Sequence, residues 1–458
     1  MPALPSGRRS CGGATAAAGA LALTLFAVPA AAAPPATTGP GEDTAPRWAT
    51  ATAAVETPPA FDDEAGGDAD ADDPALWISP TDGDRSLVLG TLKNGGLAAY
   101  GLDGRLLQHV AAPPAPAGAS EAGRFNNVDV VQGARIGGRT LDLAVVSDRG
   151  RDRIRVYAID PRGAAAGAAV LTDVTDPGAA PVFSASEAQV DEQATAYGLA
   201  AGLGADGGVQ VLTTRRHSTD LAVLRLVAGP GGTIGYRQQD RIALPSAFEL
   251  PDGTSWSPCE EPGEGPQAEG STFDPATGAW YVAQEDVGIW RLVPGDGGTW
   301  TRTLVDRVRD YGVPAAWDEA SESCVVTGTD PGEGGTRLTA DAEGLTVAHA
   351  PDGTGYLLAS SQGDSTFAVY ELGSGRYAAG FAIADGPGSG GGAVDGVQHS
   401  DGATVTTRAV GSAYPYGLLV LHDGEDTGEA AADAGRTATG FKLVPLERVV
   451  RPLVLDAR

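Results

Sequence analysis

Short apolar runs separated by polar, glycine-rich turns fill most of the chain. From Ala75 to Ala111 the runs are "ALWIS", "SLVLGTL", "GLAAYGL" and "LLQHVA", with "PTDGDR", "KNGG" and "DGR" between them. Such turns between apolar runs are typical of β-hairpins. The pattern recurs over Asn126–Asp160 and again from Tyr197, and no amphipathic helical period interrupts it. The pattern therefore predicts an all-β protein made of antiparallel meanders.

One unit of this pattern is repeated closely enough to align. "AEGSTFDPATGAWYVAQEDVGIWRL" begins at Ala268, and "AEGLTVAHAPDGTGYLLASSQGDSTFAVYEL" begins at Ala342. Each unit has AEG, a strand, a glycine-containing turn, an apolar strand, an acidic loop and an aromatic-rich strand. Repeated sheets that bury their faces only against neighbours predict a β-propeller, here of six blades with roughly four antiparallel strands each. Glu269 and Glu343 hold the same position in the two units and are expected to point to one central region.

The N-terminus predicts export. Arg8 and Arg9 precede a short, alanine-rich apolar stretch that ends in small residues, which is typical of a secretory signal peptide. The stretch is too short for a membrane span. The paired arginines leave open whether the general or the twin-arginine route is used. We predict a signal peptide over residues 1–33, a flexible linker over 34–55, one propeller domain over 56–458, and a secreted protein.

The net charge of the chain limits the classes of partner that it can bind. The formal net charge is −28, which argues against nucleic acid and against anionic membrane surfaces. The same excess of carboxylates suits hard cations such as calcium. The sequence carries no oligomerisation signal, so a monomer is expected.

Three cysteines have to be placed. Cys11 lies in the predicted signal peptide, and Cys259 and Cys324 remain in the exported protein. Export permits a disulfide between these two, which we favour over two free thiols.

Acidic residues recur where the predicted strands begin or end. Several carboxylates in one propeller channel would repel each other unless cations lay between them. The alternative for each is that it caps a turn or faces solvent. The candidates are Asp72, Asp73, Asp129, Glu269, Glu285, Asp341, Glu343, Asp395 and Asp401.

Basic residues at strand ends could bind phosphate in so acidic a chain. The alternative is that each is a solvated surface cation. The candidates are Lys93, Arg149, Arg215 and Arg216.

Several blocks of the chain resemble one family. "DADDPALWISP", "FNNVDV", "YGL", "LTADAEGLTV", "GYLLASSQG", "AVYEL" and "YPYGLLV" look like the β-propeller phytases, in order from Asp72 to Phe441. The resemblance implies a six-bladed propeller that needs several calcium ions, is secreted, and removes phosphates stepwise from phytate or calcium-phytate.

The resemblance also implies roles for individual residues. Tyr197 matches the tyrosine of the family's site, while Lys93, Arg149 and Arg215 match its phosphate-binding cations. The calcium-bound cleavage site falls on Glu269, Glu285, Asp341, Glu343, Asp395 and Asp401. Structural calcium ligands fall on Asp73, Pro74 and Val128, with Glu56 as a looser match.

The chain also departs from the family pattern. Arg216 stands where relatives carry an acid, and Gly440 stands where the pattern has an asparagine that binds structural calcium. Residues 246–266 and 306–335 look like inserts, which the disulfide is expected to tie together.

The prediction from sequence is therefore a phosphoric monoester hydrolase of the 3-phytase type. Calcium held by the central carboxylates would activate the attacking water, and the basic residues would hold phosphoryl oxygens. Two alternatives stay open, because propellers host many functions. One is another calcium-dependent propeller hydrolase, of lactonase or phosphotriesterase type, and the other is a non-catalytic secreted binding propeller.

Overall fold

Six antiparallel sheets surround one axis in the computed structural model. It describes residues 47–160, 162–163, 168–204, 206–350, 354–428, 435–453 and 455. The predicted signal peptide lies outside these residues. In chain order the strands are β1 Arg47–Thr52, β2 Val55–Glu56, β3 Ala60–Phe61, β4 Pro74–Trp77, β5 Leu87–Thr91, β6 Leu97–Tyr100, β7 Leu106–Val110, β8 Phe125–Ile136, β9 Arg139–Asp148, β10 Arg153–Ile159, β11 Leu171–Asp173, β12 Ala196–Leu203, β13 Val209–Arg215, β14 Asp220–Ala228, β15 Ile234–Ala243, β16 Phe248–Glu249, β17 Ser255–Trp256, β18 Ala268–Asp274, β19 Ala279–Gln284, β20 Gly288–Pro294, β21 Trp300–Arg307, β22 Ala315–Asp318, β23 Ser323–Val326, β24 Ala342–His349, β25 Gly355–Ser361, β26 Thr366–Glu371, β27 Tyr377–Ala384, β28 Gly386–Pro387, β29 Ala393–Val394, β30 Ala403–Thr406, β31 Leu418–Asp423 and β32 Ala438–Pro445.

Helices are few and short among the described residues. The α-helices with both ends described are α1 Glu187–Asp191 and α2 Glu447–Leu453, and the 3₁₀ turns are Gly83–Arg85, Arg149–Arg151, Pro230–Gly232, Asp296–Gly298 and Gln362–Asp364. None of these described helices is long and apolar enough to cross a membrane.

The sheets are the blades of a six-bladed propeller, as predicted. Blades one to four are β4–β7, β8–β11, β12–β15 and β18–β21; blade five is β24–β27 with β1, and blade six is β30–β32 with β2 and β3. The first strands of the blades, β4, β8, β12, β18, β24 and β30, contact one another in a closed ring. These six inner strands therefore line the axis.

The blades hold together through apolar faces. Trp77 and Leu89 of blade one pack in one buried cluster with Val146 and Tyr157 of blade two. Every residue of β5 is buried, because both faces of a blade are covered by neighbours. This explains why "LVLGT" reads as a continuous apolar run and not as an alternating one.

The N-terminal strands complete the ring. β2 pairs antiparallel with β32, which places Glu56 opposite Lys442, and β1 pairs parallel with β27. The predicted linker over residues 34–55 is therefore wrong at its C-terminal end. Residues 47–52 form β1 because Ala49 and Ala51 are buried against blade five, and residues 34–46 lie outside the described part.

Two segments outside the blades contain the cysteines, and each segment includes a short hairpin. β16 pairs with β17 and β22 with β23, within the two segments predicted as inserts. A disulfide joins Cys259 to Cys324 across 65 residues, with the Cα atoms 6.0 Å apart. The structure thus contains the predicted disulfide between these two segments.

Candidate functional site

Four neighbouring inner strands share one irregularity at the same end of the axis. The pairing register of β8, β12, β18 and β24 with the next strand shifts just after the first residue. Bulges of this kind re-aim side chains and are common next to active sites. The residues in the shifted positions are Asn126–Asn127, Tyr197–Gly198, Glu269–Gly270 and Glu343–Gly344.

The glycines in these bulges allow adjacent blades to come close. A Cβ added to any of the three would overlap the backbone of the next blade, so only glycine fits. The pairs are Gly198 with Glu269, Gly270 with Glu343, and Gly344 with Asp401. The glycines of "YGL" and of both "AEG" units thus set the spacing of the acidic residues around the axis.

A central cluster of three carboxylates lies at this end of the axis. We define it as Glu269, Glu285 and Glu343, whose ligand oxygens lie within 4.8 Å of one another. Glu285 is the residue directly after β19. The residues are only 5%, 8% and 4% exposed. Oε1 of Glu285 and Oε2 of Glu343 are buried with no hydrogen-bond partner among the described residues.

Burial and mutual repulsion raise the pKa values of the central cluster. Loss of hydration is the largest cause for all three glutamates. Asp401 raises the pKa of Glu269 further, and Asp341 does the same for Glu285. Asp341 and Asp401 therefore lie within electrostatic reach of the cluster. Such a group is costly to keep ionised without a cation.

The central cluster fits calcium by its chemistry. Calcium binds carboxylate and other oxygen ligands, and the two partnerless glutamate oxygens are ligands of that kind. Buried carboxylate oxygens without donors are otherwise unfavourable. The cluster is thus suited to hold a hard cation.

Lys93 lies beside the central cluster. Its Nζ is 3.7 Å from Asp72, 3.9 Å from Asp401 and 4.0 Å from Asp70. These separations exceed ordinary hydrogen bonds, and the side chain is 20% exposed. Lys93 can therefore reach an anion without breaking a tight ion pair.

Arg149 approaches the cluster from the other side. Its Nη1 donates to Oδ1 of Asn126 at 3.1 Å, and its guanidinium lies 5.4 Å from the centre of the Tyr197 ring. The Nδ2 of Asn126 donates to Glu269. The Nε of Arg149 is buried and lacks a partner in the described part of the chain. Burial lowers the pKa of Arg149, and the charges of Arg216 and Arg124 lower it further.

Arg215 is held away from the central carboxylates. Its Nε donates to the Ala194 carbonyl at 2.9 Å, Nη1 lies 3.6 Å from Asp220, and its guanidinium is over the Phe183 ring. The neighbouring Arg216 is the residue whose charge acts on Arg149. The sequence thus identified the basic pair but could not tell which member faces the site.

The structure adds amides that the sequence analysis did not single out. Gln267 Nε2 donates to Glu285 at 2.9 Å, and Gln362 Nε2 donates to Asp401 at 2.5 Å. Asn126 has the corresponding role for Glu269. A signal was available for two of them, because Asn126 lies in "FNNVDV" and Gln362 in "SSQGD", but neither motif reveals which carboxylate the amide contacts.

The predicted structural ligands lie further along the axis. Asp73, Pro74 and Val128 line a cavity of about 310 Å³, together with Asp129. The Val128 N–H donates to Asp73 Oδ2 at 3.0 Å. Burial raises the pKa of Asp73 well above its usual range, and Asp129 raises it further. The three predicted residues are therefore brought together.

Asp395 is not part of the central cluster. It belongs to a second group in blade six, where its carboxylate bonds to Lys442 Nζ. We define this blade-six cluster as Glu56, Asp395, Asp423 and Asp426 around Lys442. The position of Asp395 thus differs from the sequence prediction, because the long loop before it leads to blade six.

Two cavities are lined by the basic residues that lie near the central cluster. One, of about 630 Å³, is lined by Arg124, Arg149, Gln193 and neighbouring residues. The other, of about 330 Å³, is lined by Lys93, Asp401 and residues around them. Each cavity thus offers a basic side chain close to the buried glutamates.

Comparisons with known proteins identify the family of the chain. The family described as Phytase matches residues 15–190 and 315–456. The chain is 31% identical over 408 residues to a 3-phytase of Bacillus subtilis (strain 168), which covers 88% of this chain and 85% of the relative. Solved structures are more distant. A calcium-binding regucalcin of Agrobacterium tumefaciens is 12% identical with a TM-score of 0.42, covering 87% of this chain and 96% of its own. An auxiliary nutrient binding protein of Bacteroides thetaiotaomicron is 11% identical with a TM-score of 0.39, covering 85% and 76%.

Proposed function

Because the chain belongs to the phytase family of phosphate-ester hydrolases, we propose that it is a secreted, calcium-dependent phytase that hydrolyses phosphate monoesters of phytate. The observation that supports this most strongly is the central cluster, with three buried glutamates within 4.8 Å of one another. A protein of charge −28 has to bind a substrate that is itself a polyanion. Bound cations between the two would resolve that repulsion.

The central cluster would hold the metal. Glu269, Glu285 and Glu343 are the ligands we propose, with Asp341 and Asp401 completing the acidic surroundings. Calcium, when bound, would neutralise charge on carboxylates and phosphate and increase the acidity of a water molecule in its shell. Hydrogen bonds from Asn126 and Gln267 fix the orientation of Glu269 and Glu285.

Basic side chains would bind the phosphoryl oxygens. Arg149 has a buried Nε without a partner among the described residues, and Lys93 has only loose ion pairs. Arginine can contact two phosphate oxygens at once, whereas lysine acts as a point charge. The cavity of about 630 Å³ beside Arg149 could receive further phosphates of the same substrate. Arg215 would need to leave Asp220 to take the role predicted from sequence.

Tyr197 would act as a hydrogen-bond donor. Burial raises the pKa of its phenol well above the usual range, and Glu269 and Glu285 raise it further. The hydroxyl therefore stays protonated at working pH. Its hydrogen bond lowers the pKa of Glu269 and so favours the ionised carboxylate that a cation needs.

Export is supported by two observations. The N-terminal segment has the composition of a signal peptide, and the Cys259–Cys324 disulfide is typical of proteins outside the reducing cytosol. The same segment would be cleaved before the enzyme meets its substrate.

The test is phosphate release from phytate by purified protein, with calcium or with a chelator, beside Glu343→Gln. We expect release that needs calcium and that the variant loses while it stays folded. A folded wild-type protein that releases no phosphate at any calcium concentration would overturn the proposal. That result would favour the binding-propeller or lactonase alternatives.

A further inference from the structure

The chain contains only two lysines, Lys93 and Lys442, among 31 basic residues. Both lie among carboxylates, and arginine is used at every other basic position. The two side chains differ in chemistry, because an ammonium is a compact point charge with three donors whereas a guanidinium is a planar fork. A point charge suits a position surrounded by carboxylates on several sides.

Lys442 lies inside the blade-six cluster. Its side chain is completely buried, and its Nζ is 2.9 Å from Glu56 Oε2, 3.2 Å from Asp423 Oδ2 and 3.8 Å from Asp426 Oδ1. It also bonds to Asp395. Glu56, Asp395 and Asp426 have carboxylate oxygens within 4.8 Å of one another, a spacing that could otherwise hold a metal ion. The ammonium contacts all three of these carboxylates.

We propose that Lys442 takes the place of a metal ion in the blade-six cluster, so that this cluster binds no calcium in the native chain. The ammonium of Lys442 occupies the space between these carboxylates, and a divalent ion entering there would meet its repulsion at contact distance. The acids on their own fit a metal, and with Lys442 among them they do not. Asp395, which the family resemblance assigned to the calcium-bound cleavage site, and Glu56, its looser structural match, therefore serve as partners of the lysine.

Because of where Lys442 lies, the replacement of a metal ion by its ammonium has a structural consequence. Glu56 lies on β2 near the start of the described chain, and Lys442 lies opposite it on β32 near the end. The ion pair thus joins the two strands that complete the propeller ring. Closure of the ring would then depend on a covalently attached cation and not on the calcium concentration outside the cell.

Calcium counting on full-length variants tests the proposal. We would measure bound calcium by isothermal titration for wild type, Asp395→Asn, Lys442→Ser and the double variant. Wild type and Asp395→Asn should bind the same number of ions. Lys442→Ser should bind one more, and the double variant should return to the wild-type number. One ion fewer in Asp395→Asn, or no extra ion in folded Lys442→Ser, would overturn the proposal.

A second measurement covers the case in which Lys442→Ser fails to fold. Lysine-labelled wild-type protein should give only two lysine side-chain NMR signals, which a Lys93→Arg variant assigns. During a calcium titration the Lys442 signal should stay in place. A saturable shift of the Lys442 signal would mean that calcium enters the cluster and would overturn the proposal. Neither readout depends on enzyme activity.

Discussion

The two lysines lie in two acidic regions that are built differently. In blade six, Lys442 is fully buried between four carboxylates and contacts one of them at 2.9 Å. At the axis, Lys93 is 20% exposed, and the nearest of its carboxylate partners is 3.7 Å away. It is paired with aspartates and not with the three glutamates. One cluster therefore contains its own cation, and the other has one only at its edge.

This difference fits a structural role for the blade-six acids and the catalytic role that we propose for the central glutamates. The ammonium of Lys442 is fully buried, so it can stabilise the fold but cannot reach a substrate. The central glutamates keep oxygens without partners, which suits a cation that must also contact phosphate. We conclude that carboxylate density alone does not identify a calcium site, and that the fixed charges inside the cluster have to be considered.

The largest effect on activity should come from changing one carboxylate of the central cluster, Glu343, to an amide. Glu343→Gln removes a ligand charge with almost no change in shape, so calcium-dependent phosphate release should fall by about 100-fold or more. The matched change in blade six is Asp395→Asn, which should retain activity within about twofold. Steady-state rates on phytate would compare them. Equal losses of activity in the two variants would show that the central and blade-six clusters do not differ in function.

Removing each lysine should affect different properties. Lys442→Met leaves the four carboxylates of the blade-six cluster without their cation and should cost about 3–5 kcal/mol in the free energy of unfolding. Lys93→Met should cost less stability, since Lys93 is partly exposed, but should raise KM for phytate. Urea unfolding and kinetics on both variants would test this. If folded Lys442→Met raised KM more than Lys93→Met does, the assignment of substrate binding to Lys93 and of a structural role to Lys442 would be contradicted.

Hydrogen bonds to the carboxylates of the two clusters should have smaller effects of the same kind, on calcium affinity at the central cluster and on stability at the blade-six cluster. Gln267→Met removes the donor to Glu285 and should weaken calcium affinity about tenfold, as other outer-shell changes do. Thr427→Val removes the hydroxyl donor to Asp395 and should cost about 1 kcal/mol of stability with no change in calcium affinity. Calcium titrations of both variants measure the difference. Weaker calcium binding in Thr427→Val would argue that the blade-six cluster also takes part in calcium binding.

The smallest effect is a pH dependence of stability. Burial raises the pKa of Glu343 well above the ordinary glutamate value of 4.5, and Glu269 raises it further. Above 4.5 the folded, calcium-free protein therefore holds protons that the unfolded chain has lost. Its stability should fall as pH rises through the raised pKa, and saturating calcium should flatten this fall.

Melting temperatures measured across pH with chelator or calcium test this dependence. Glu343→Gln should show a shallower fall in chelator, because one raised pKa is gone. A chelated protein whose melting temperature rises over the same range would show that the central carboxylates are already neutralised by groups of the chain.

Much of the fold could be predicted from local sequence. Turn residues and apolar runs located β4–β6 and β8–β10, because both features act over neighbouring residues. The two "AEG" units predicted that Glu269 and Glu343 converge, because repeats occupy equivalent blade positions. β1 was missed since "RWATAT" has little apolar character of its own and is a strand only by pairing with β27.

The remaining site residues depend on contacts between distant parts of the chain. Asn126 meets Glu269 across 143 residues, and Lys442 meets Glu56 across 386. Contacts between residues so far apart in the sequence cannot be predicted from the spacing of residues within a motif. Likewise, the placement of Arg215 and Arg216 depends on how β13 ends, and the sequence "TTRRH" is equally compatible with either facing the site.

A crystal structure of the protein soaked in calcium would test the account most directly, with anomalous difference density used to locate the ions. We expect density among Glu269, Glu285 and Glu343, and none at the blade-six cluster, where Lys442 Nζ should remain between Glu56 and Asp395. Calcium density at blade six with Lys442 displaced, or a central cluster without calcium at saturating concentration, would contradict it.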